Sequence, residues 1–202
     1  MNLNLGERLI TGNPVRAFIQ RHIEGPMLRK MALRESYPLC LEIGCGQGIG
    51  ALIIAEQFKA ERVIAVDTDP MQIERARKRL SAQYKKTIEF KVEDAMSLKE
   101  PSGVFDAVFS FGVIHHTEDW RKAVGEVSRV LRAGGEFFFE EPLRGFVKFF
   151  IKGSVLSFIA EHPVGGIFSL EEFISELEKN NIEIKNLKRL GGIAVFGSGQ
   201  KR

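Results

Sequence analysis

The stretch Leu41-Glu42-Ile43-Gly44-Cys45-Gly46-Gln47-Gly48-Ile49-Gly50 lies between an apolar run, Leu39–Ile43, and a helical pattern over Ala51–Phe58. Glycine lets a backbone bend tightly and approach a ligand with no Cβ in the way. The helix that follows offers free N–H groups and a favourable dipole to a negative group. A dinucleotide fingerprint wants G-x-G-x-x-G. Counted from Gly44, the sixth position is Ile49, so that pattern is not met and the glycines fall on alternate positions instead. Alone, such a bend is equally a plain strand-to-helix turn.

Outward from this bend, strand-like and helix-like segments alternate. A β-branched run, Arg62–Val66, precedes a charged helical pattern from Pro70 to about Tyr84, proline being suited to a first helical position. Thr87–Val92 and Val104–Ser110 read as strands, Glu118–Leu131 as an amphipathic helix closed by Ala133-Gly134-Gly135, and Glu136–Glu140 as a fifth strand. Such alternation predicts right-handed βαβ units on a parallel sheet covered on both faces. Downstream, a helix over Leu170–Lys179 precedes two strand-like runs, Ile182–Leu190 and Ile193–Gly197, separated by Gly191-Gly192, which predict an antiparallel hairpin. An N-terminal helical segment is expected over Pro14–Arg34. The expectation is one α/β domain over 1–202, a Rossmann-like doubly wound sheet with residues 1–36 as an N-terminal helical segment and 142–168 as an insertion, a candidate lid.

Four strand ends carry polar groups at the edge where open α/β sheets bind ligands. Asp67 ends the second strand, where an acid can accept both hydroxyls of a ribose; Asp69, before Pro70, suits a helix N-cap instead. Asp94 follows the third strand and could accept from a base amine, or serve as a loop acid. His115 and His116 follow the fourth strand and suit a general base or substrate-positioning role, or a cap for the next helix. Glu140 and Glu141 end the fifth, and adjacent strand residues point opposite ways, so one of the two can face the crevice. His162, before Pro163, is a further base candidate or a turn residue.

With these residues in place, the chain resembles the class I S-adenosylmethionine-dependent methyltransferases over roughly Leu39 to Gly197. Glu42, Gly44, Gly46 and Gly48 match the E-x-G-x-G-x-G motif. The run Phe105 to His116 looks like the fourth motif, and Val130-Leu131-Arg132-Ala133-Gly134-Gly135-Glu136 is similar to the post-helix turn, with Ala133 where proline is usual. The resemblance implies a seven-stranded sheet with an antiparallel strand near one edge. It implies that Glu42, Gly44, Cys45, Gly46 and Gly48 wrap the methionine end of S-adenosylmethionine. Asp67, with Thr68, would hold the ribose and Asp94-Ala95 flank the adenine, while Ser110 and Phe111 lie beside the reactive methyl. The double histidine is closest to a quinone-biosynthesis-like subgroup acting on small molecules. Catalytic candidates are then His115, His116 and Glu140. Other readings are a nicotinamide oxidoreductase, against which Ile49 and Glu42 argue, and a non-catalytic cofactor-binding protein.

Composition agrees with a globular domain and not with a disordered or fibrous chain: 44% of the 202 residues are hydrophobic and 27% charged. The net charge of +3 is spread along the chain, which disfavours a nucleic-acid partner. Cys40 and Cys45 form no disulfide framework, no Cys/His cluster has metal spacing, and Met1–His22 has no apolar signal-peptide core, so a cytoplasmic protein is expected. Sixteen phenylalanines stand against one tryptophan. Leu143–Ala160 carries several of them, with Arg144, Lys148 and Lys152 at i, i+4, i+8. As a helix this is a packed element with a wet basic face, a lid over an apolar acceptor, or a patch for peripheral membrane contact.

Overall fold

The computed structural model describes residues 14–142, 168–191 and 194–202. The calls on 142–168 as a lid, on Leu143–Ala160 as a membrane patch and on His162 lie almost wholly outside them. Strands β1 (Tyr37–Ile43), β2 (Ala60–Asp67), β3 (Ile88–Val92), β4 (Phe105–Phe111), β5 (Leu131–Pro142), β6 (Ile182–Leu190) and β7 (Ala194–Lys201) form one sheet in the order β3-β2-β1-β4-β5-β7-β6. The first five pair in parallel, while β7 runs antiparallel to both β5 and β6. The expected doubly wound sheet and C-terminal hairpin are both present.

Strand alternation sorts the side chains into two layers. Cys40, Ala65, Phe109 and Phe138 face one side, with α3 (Ile49–Gln57) and α4 (Pro70–Arg79). Ile43, Val66, Val108 and Phe139 face the other, with α5 (Trp120–Val130) and α6 (Leu170–Lys179). Gly197 on β7 is required by this second layer, because a Cβ there would lie 2.3 Å from Phe139 Cζ. The Phe excess resides largely in these layers: Phe58, Phe105, Phe109, Phe137, Phe138, Phe139 and Phe173 are fully buried. Its concentration near 143–160, expected from the sequence, does not account for it.

Local chemistry sets the helix starts. Asp69 caps α4, accepting from Met71 N at 2.8 Å, with Pro70 in the first turn. Asp119 caps α5 by accepting from Arg121 N and Lys122 N, so that helix begins at Trp120 and not at Glu118. Ser169 and Glu172 complete a capping box on α6. The N-terminal segment differs from the single helix expected to Arg34. It comprises α1 (Pro14–Ile19), a π-helical stretch Gln20–Glu24, and α2 (Gly25–Arg29). Pro26 has no N–H for the ladder, and Gly25 N donates to Gln20 O, five residues back. After α2 the chain turns toward β1, where Glu136 of β5 accepts from Leu33 N at 2.9 Å and Tyr37 Oη at 2.8 Å.

Candidate functional site

The strand order reverses between β1 and β4, and the crevice at their carboxyl ends is where open α/β sheets bind ligands. Between β1 and α3, Gly44, Gly46 and Gly48 all take positive φ (65°, 50° and 80°). The bend is fastened by Cys45 N donating to Val66 O at 2.9 Å and Gly48 N to Cys45 O at 2.8 Å. Nothing lies within 4 Å of where a Gly46 Cβ would sit, so bare backbone faces open space there. Cys45 is buried, which pushes its thiol up and keeps it in the unreactive form.

Asp67 joins the tips of β1 and β2. Its Oδ2 accepts from Gly46 N at 2.8 Å and its Oδ1 from Asp69 N at 2.9 Å. An ionised carboxylate has about four acceptor sites, so these two bonds leave capacity for a ligand's hydroxyls. Burial pushes the Asp67 carboxyl above its ordinary range against the pull of those two N–H groups. Thr68 beside it is exposed. Glu42, next to last on β1, is 1% exposed, and its Oε2 has no hydrogen-bond partner among the described residues. Burial first, and the nearby Asp67 second, raise its carboxyl to about 8. A Cβ at Gly50 would lie 1.8 Å from Glu42 Oε1, so glycine there is what admits the carboxyl.

An orphaned buried carboxylate oxygen beside an open glycine bend fits a ligand that brings a cationic donor such as an ammonium. A second carboxylate with spare acceptor sites fits a diol. Past β3, Asp94 Oδ1 accepts from Met96 N at 2.8 Å and its carbonyl from Ser97 N at 2.9 Å, which shapes a turn at the third strand tip, while Ala95 packs into the core. Phe111 is buried at the end of β4, its ring parallel to that of Phe109 at 6.3 Å.

The pleat sends the two glutamates of β5 to opposite faces. Glu140 shares the Glu42 and Asp67 face and pairs with Arg16 of α1 at 3.2 Å, while Arg16 also pairs with Glu24. Burial and the Glu24 charge push the Glu140 carboxyl up to about 8, with Arg16 opposing. Glu141 is fully enclosed on the other face. It accepts from Ser110 Oγ at 2.8 Å, so the Ser110 hydroxyl is directed at Glu141, and it lies 2.7 Å from His115 Nδ1. His115 and His116 sit on a 3₁₀ turn, Ile114–His116, their ring centroids 3.9 Å apart.

Sequence reasoning anticipated an acid at the tip of β5 but not the division of labour between Glu140 and Glu141. Nor did it find Arg16 and Glu24. No local signal marks a pair separated by 124 residues in sequence, as Arg16 and Glu140 are. Among the described residues no group of three or more His, Cys, Asp or Glu side chains could hold a metal ion.

Residues 41–139 match the family described as a methyltransferase domain. A probable S-adenosylmethionine-dependent methyltransferase of Mycolicibacterium smegmatis is 34% identical over 139 residues, 69% of this chain and 51% of that protein. The demethylmenaquinone methyltransferase of Thermus thermophilus is 33% identical over 119 residues, 57% of this chain and 53% of that one. The chain thus spans about half the length of these curated relatives. A solved S-adenosylmethionine-dependent methyltransferase from Aquifex aeolicus matches it with a TM-score of 0.76 at 15% identity, covering 100% of both chains, a likeness of fold.

Proposed function

Since this chain belongs to the class I S-adenosylmethionine-dependent methyltransferases, we propose that it transfers a methyl group to a small apolar or aromatic acceptor by in-line displacement. The observation that carries this is the open glycine bend flanked by the unpartnered Glu42 oxygen and by Asp67. Bound there, S-adenosylmethionine supplies a methyl on a sulfonium, whose carbon–sulfur electron pair stays with the departing thioether.

The chain's own residues then bind, orient and exclude water. Glu42 would hold the ammonium, and the backbone of Gly44, Cys45, Gly46 and Gly48 the rest of the methionine end. Asp67 with Thr68 would hold the ribose and Asp94-Ala95 the adenine, while the end of β4 at Ser110 and Phe111 borders the methyl. His115 and His116 serve as base or acceptor-positioning groups. Glu140, paired with Arg16, would act on the acceptor only after exchanging that partner. The bend's lack of a sixth-position glycine and its acid at Glu42 disfavour a nicotinamide ligand.

The small acceptor is supported by the demethylmenaquinone methyltransferase relative, whose name gives its own acceptor. We further read the chain as one domain working in the cytoplasm on a small molecule. In support, Cys40 and Cys45 are free thiols, and among the described residues no helix is long and apolar enough to cross a membrane. Calorimetry with S-adenosylhomocysteine and with NAD tests the cofactor. Binding of the first alone is expected, and binding of NAD alone would overturn the proposal. Incubation with labelled cofactor and a panel of quinol, phenol, amine and thiol acceptors tests the transfer; label on none of them, despite tight cofactor binding, would leave a binding protein.

A further inference from the structure

Eight residues separate Arg16 from Glu24. At about 3.6 residues per turn an unbroken α-helix would leave them nearly a quarter turn apart. The π-helical stretch Gln20–Glu24 takes one more residue into its turn, which brings Glu24 back to the side of Arg16. Arg16 Nη1 pairs there with Glu24 Oε1, and its Nη2 reaches on to Glu140 Oε2 at 3.2 Å. One guanidinium therefore serves two carboxyls. The other Glu24 oxygen, Oε2, has no hydrogen-bond partner among the described residues, although Glu24 is only 6% exposed. A buried acceptor left unpaired is costly, so this oxygen marks a place for a donor.

The set borders the crevice. Gly112 N donates to Glu140 O at 2.7 Å, and a Cβ at Gly112 would lie 3.2 Å from Glu140 Oε2. Val113, the next residue, packs against the glycine bend, since a Cβ at Gly44 would come within 2.3 Å of its Cγ1. The Gly112–Val113 corner thus joins the bend to the two carboxyls. Arg16 keeps 29% of its side chain exposed, so water reaches the cation that has to yield. In the free chain a proton completes the charge balance: burial and the Glu24 charge push the Glu140 carboxyl up to about 8, with Arg16 and Glu141 the other charges acting on it.

We infer that Glu24 and Glu140 recognise a basic amine on the methyl acceptor. Its ammonium takes Glu140 Oε2 over from Arg16 and donates to the orphaned Glu24 Oε2, while Arg16 stays with Glu24 Oε1. An ammonium brings three donors and a full positive charge, which two carboxylates match. A neutral hydroxyl brings one donor and leaves the charge unbalanced, and an anion is repelled.

That this ligand is the acceptor rests on the methyl-transfer reading; the preference for a cation does not. Full-length chain saturated with S-adenosylhomocysteine, titrated at pH 7 and followed by amide correlation spectra, tests it with three probes that share one aromatic body: phenethylamine, phenethyl alcohol and hydrocinnamate. The amine is expected to bind at least about tenfold more tightly than the alcohol, with the carboxylate weakest, and to perturb residues 16–24 and Gly112. Glu24→Gln keeps the size of the side chain; it should leave S-adenosylhomocysteine affinity unchanged and bring the amine-to-alcohol ratio within about threefold of unity. Equal affinity for amine and alcohol, amine-induced changes that spare 16–24 and Gly112, or no amine binding at about 20 mM would each overturn the inference. These three are read on the wild type and do not depend on a variant folding. A Glu24→Gln protein that keeps the full ratio would overturn it as well. Amine selectivity in a chain that takes up no S-adenosylhomocysteine would keep the recognition site and remove the function proposed above. Uptake of S-adenosylhomocysteine with no preference for the amine would do the reverse.

Discussion

Glu42 shows how a residue can oppose stability while suiting a site. Its carboxyl is raised from 4.5 to about 8, chiefly by burial, so the folded chain holds that proton more tightly than the unfolded chain does. The folded state is therefore favoured at low pH, and this contribution is lost as pH rises from about 4.5 through 8. Glu42→Gln has no charge to bury. At pH 8 it should unfold at higher denaturant, by about 1–3 kcal/mol, with the gap closing toward pH 5. The same change should weaken S-adenosylhomocysteine about tenfold by calorimetry if Glu42 holds the ammonium. Burial raises the Asp67 carboxyl as well, but removing Asp67 has the opposite effect on stability. Asp67→Ala strands Gly46 N and Asp69 N, so it should cost about 1–3 kcal/mol of stability in urea titration and abolish cofactor binding together.

At the scale of elements, what the sequence discloses depends on how local the determining physics is. The β-branched runs, the glycine bend, the Asp69-Pro70 helix start and the Gly-linked hairpin each act within a few residues, and each is legible. The beginning of β5 is not: Ala133-Gly134-Gly135 reads as a turn, yet Leu131 already pairs with Phe105, and the glycines are taken up in a bulge before Ala107 meets Glu136. The neighbours Glu140 and Glu141 look alike in sequence because only the register of β5 decides which face each takes. The anchoring of the N-terminal segment is equally hidden, since Arg16 meets Glu140 from the far end of the chain. Arg16→Ala leaves two buried carboxylates without their cation. Hydrogen exchange should then accelerate across 14–29, while β1 and β4, whose bonds do not involve Arg16, stay protected. Unchanged exchange in 14–29 would mean that Ile53 and Gln57, close against Gly25, hold the segment without the ion pair.

For the molecule as a whole, rigidity lies beneath the crevice and chemistry lies on its rim. Phe109 and Phe138 stack at 4.8 Å and 15°, Phe58 meets both edge-on at 4.7 and 5.1 Å, and Tyr37 closes on Phe138 at 5.9 Å. These rings come from β1, β4, β5 and the end of α3, the elements whose tips carry the site. Removing one ring from so closed a cluster forfeits its transfer energy and leaves a cavity that the sheet cannot collapse into. Phe138→Ala should thus cost about 3–5 kcal/mol, and since about 1 kcal/mol moves the midpoint of a chain this size by roughly 2–4 °C, Tm should fall by about 6–20 °C. S-adenosylhomocysteine affinity, measured well below the new midpoint, should change less than about twofold, because Phe138 lies two residues inside Glu140, among the rings of Tyr37, Phe58 and Phe109. A stability loss of that size accompanied by lost affinity would instead make the aromatic cluster part of what holds the bend open. Scanning calorimetry and isothermal titration on the same preparation distinguish the two outcomes.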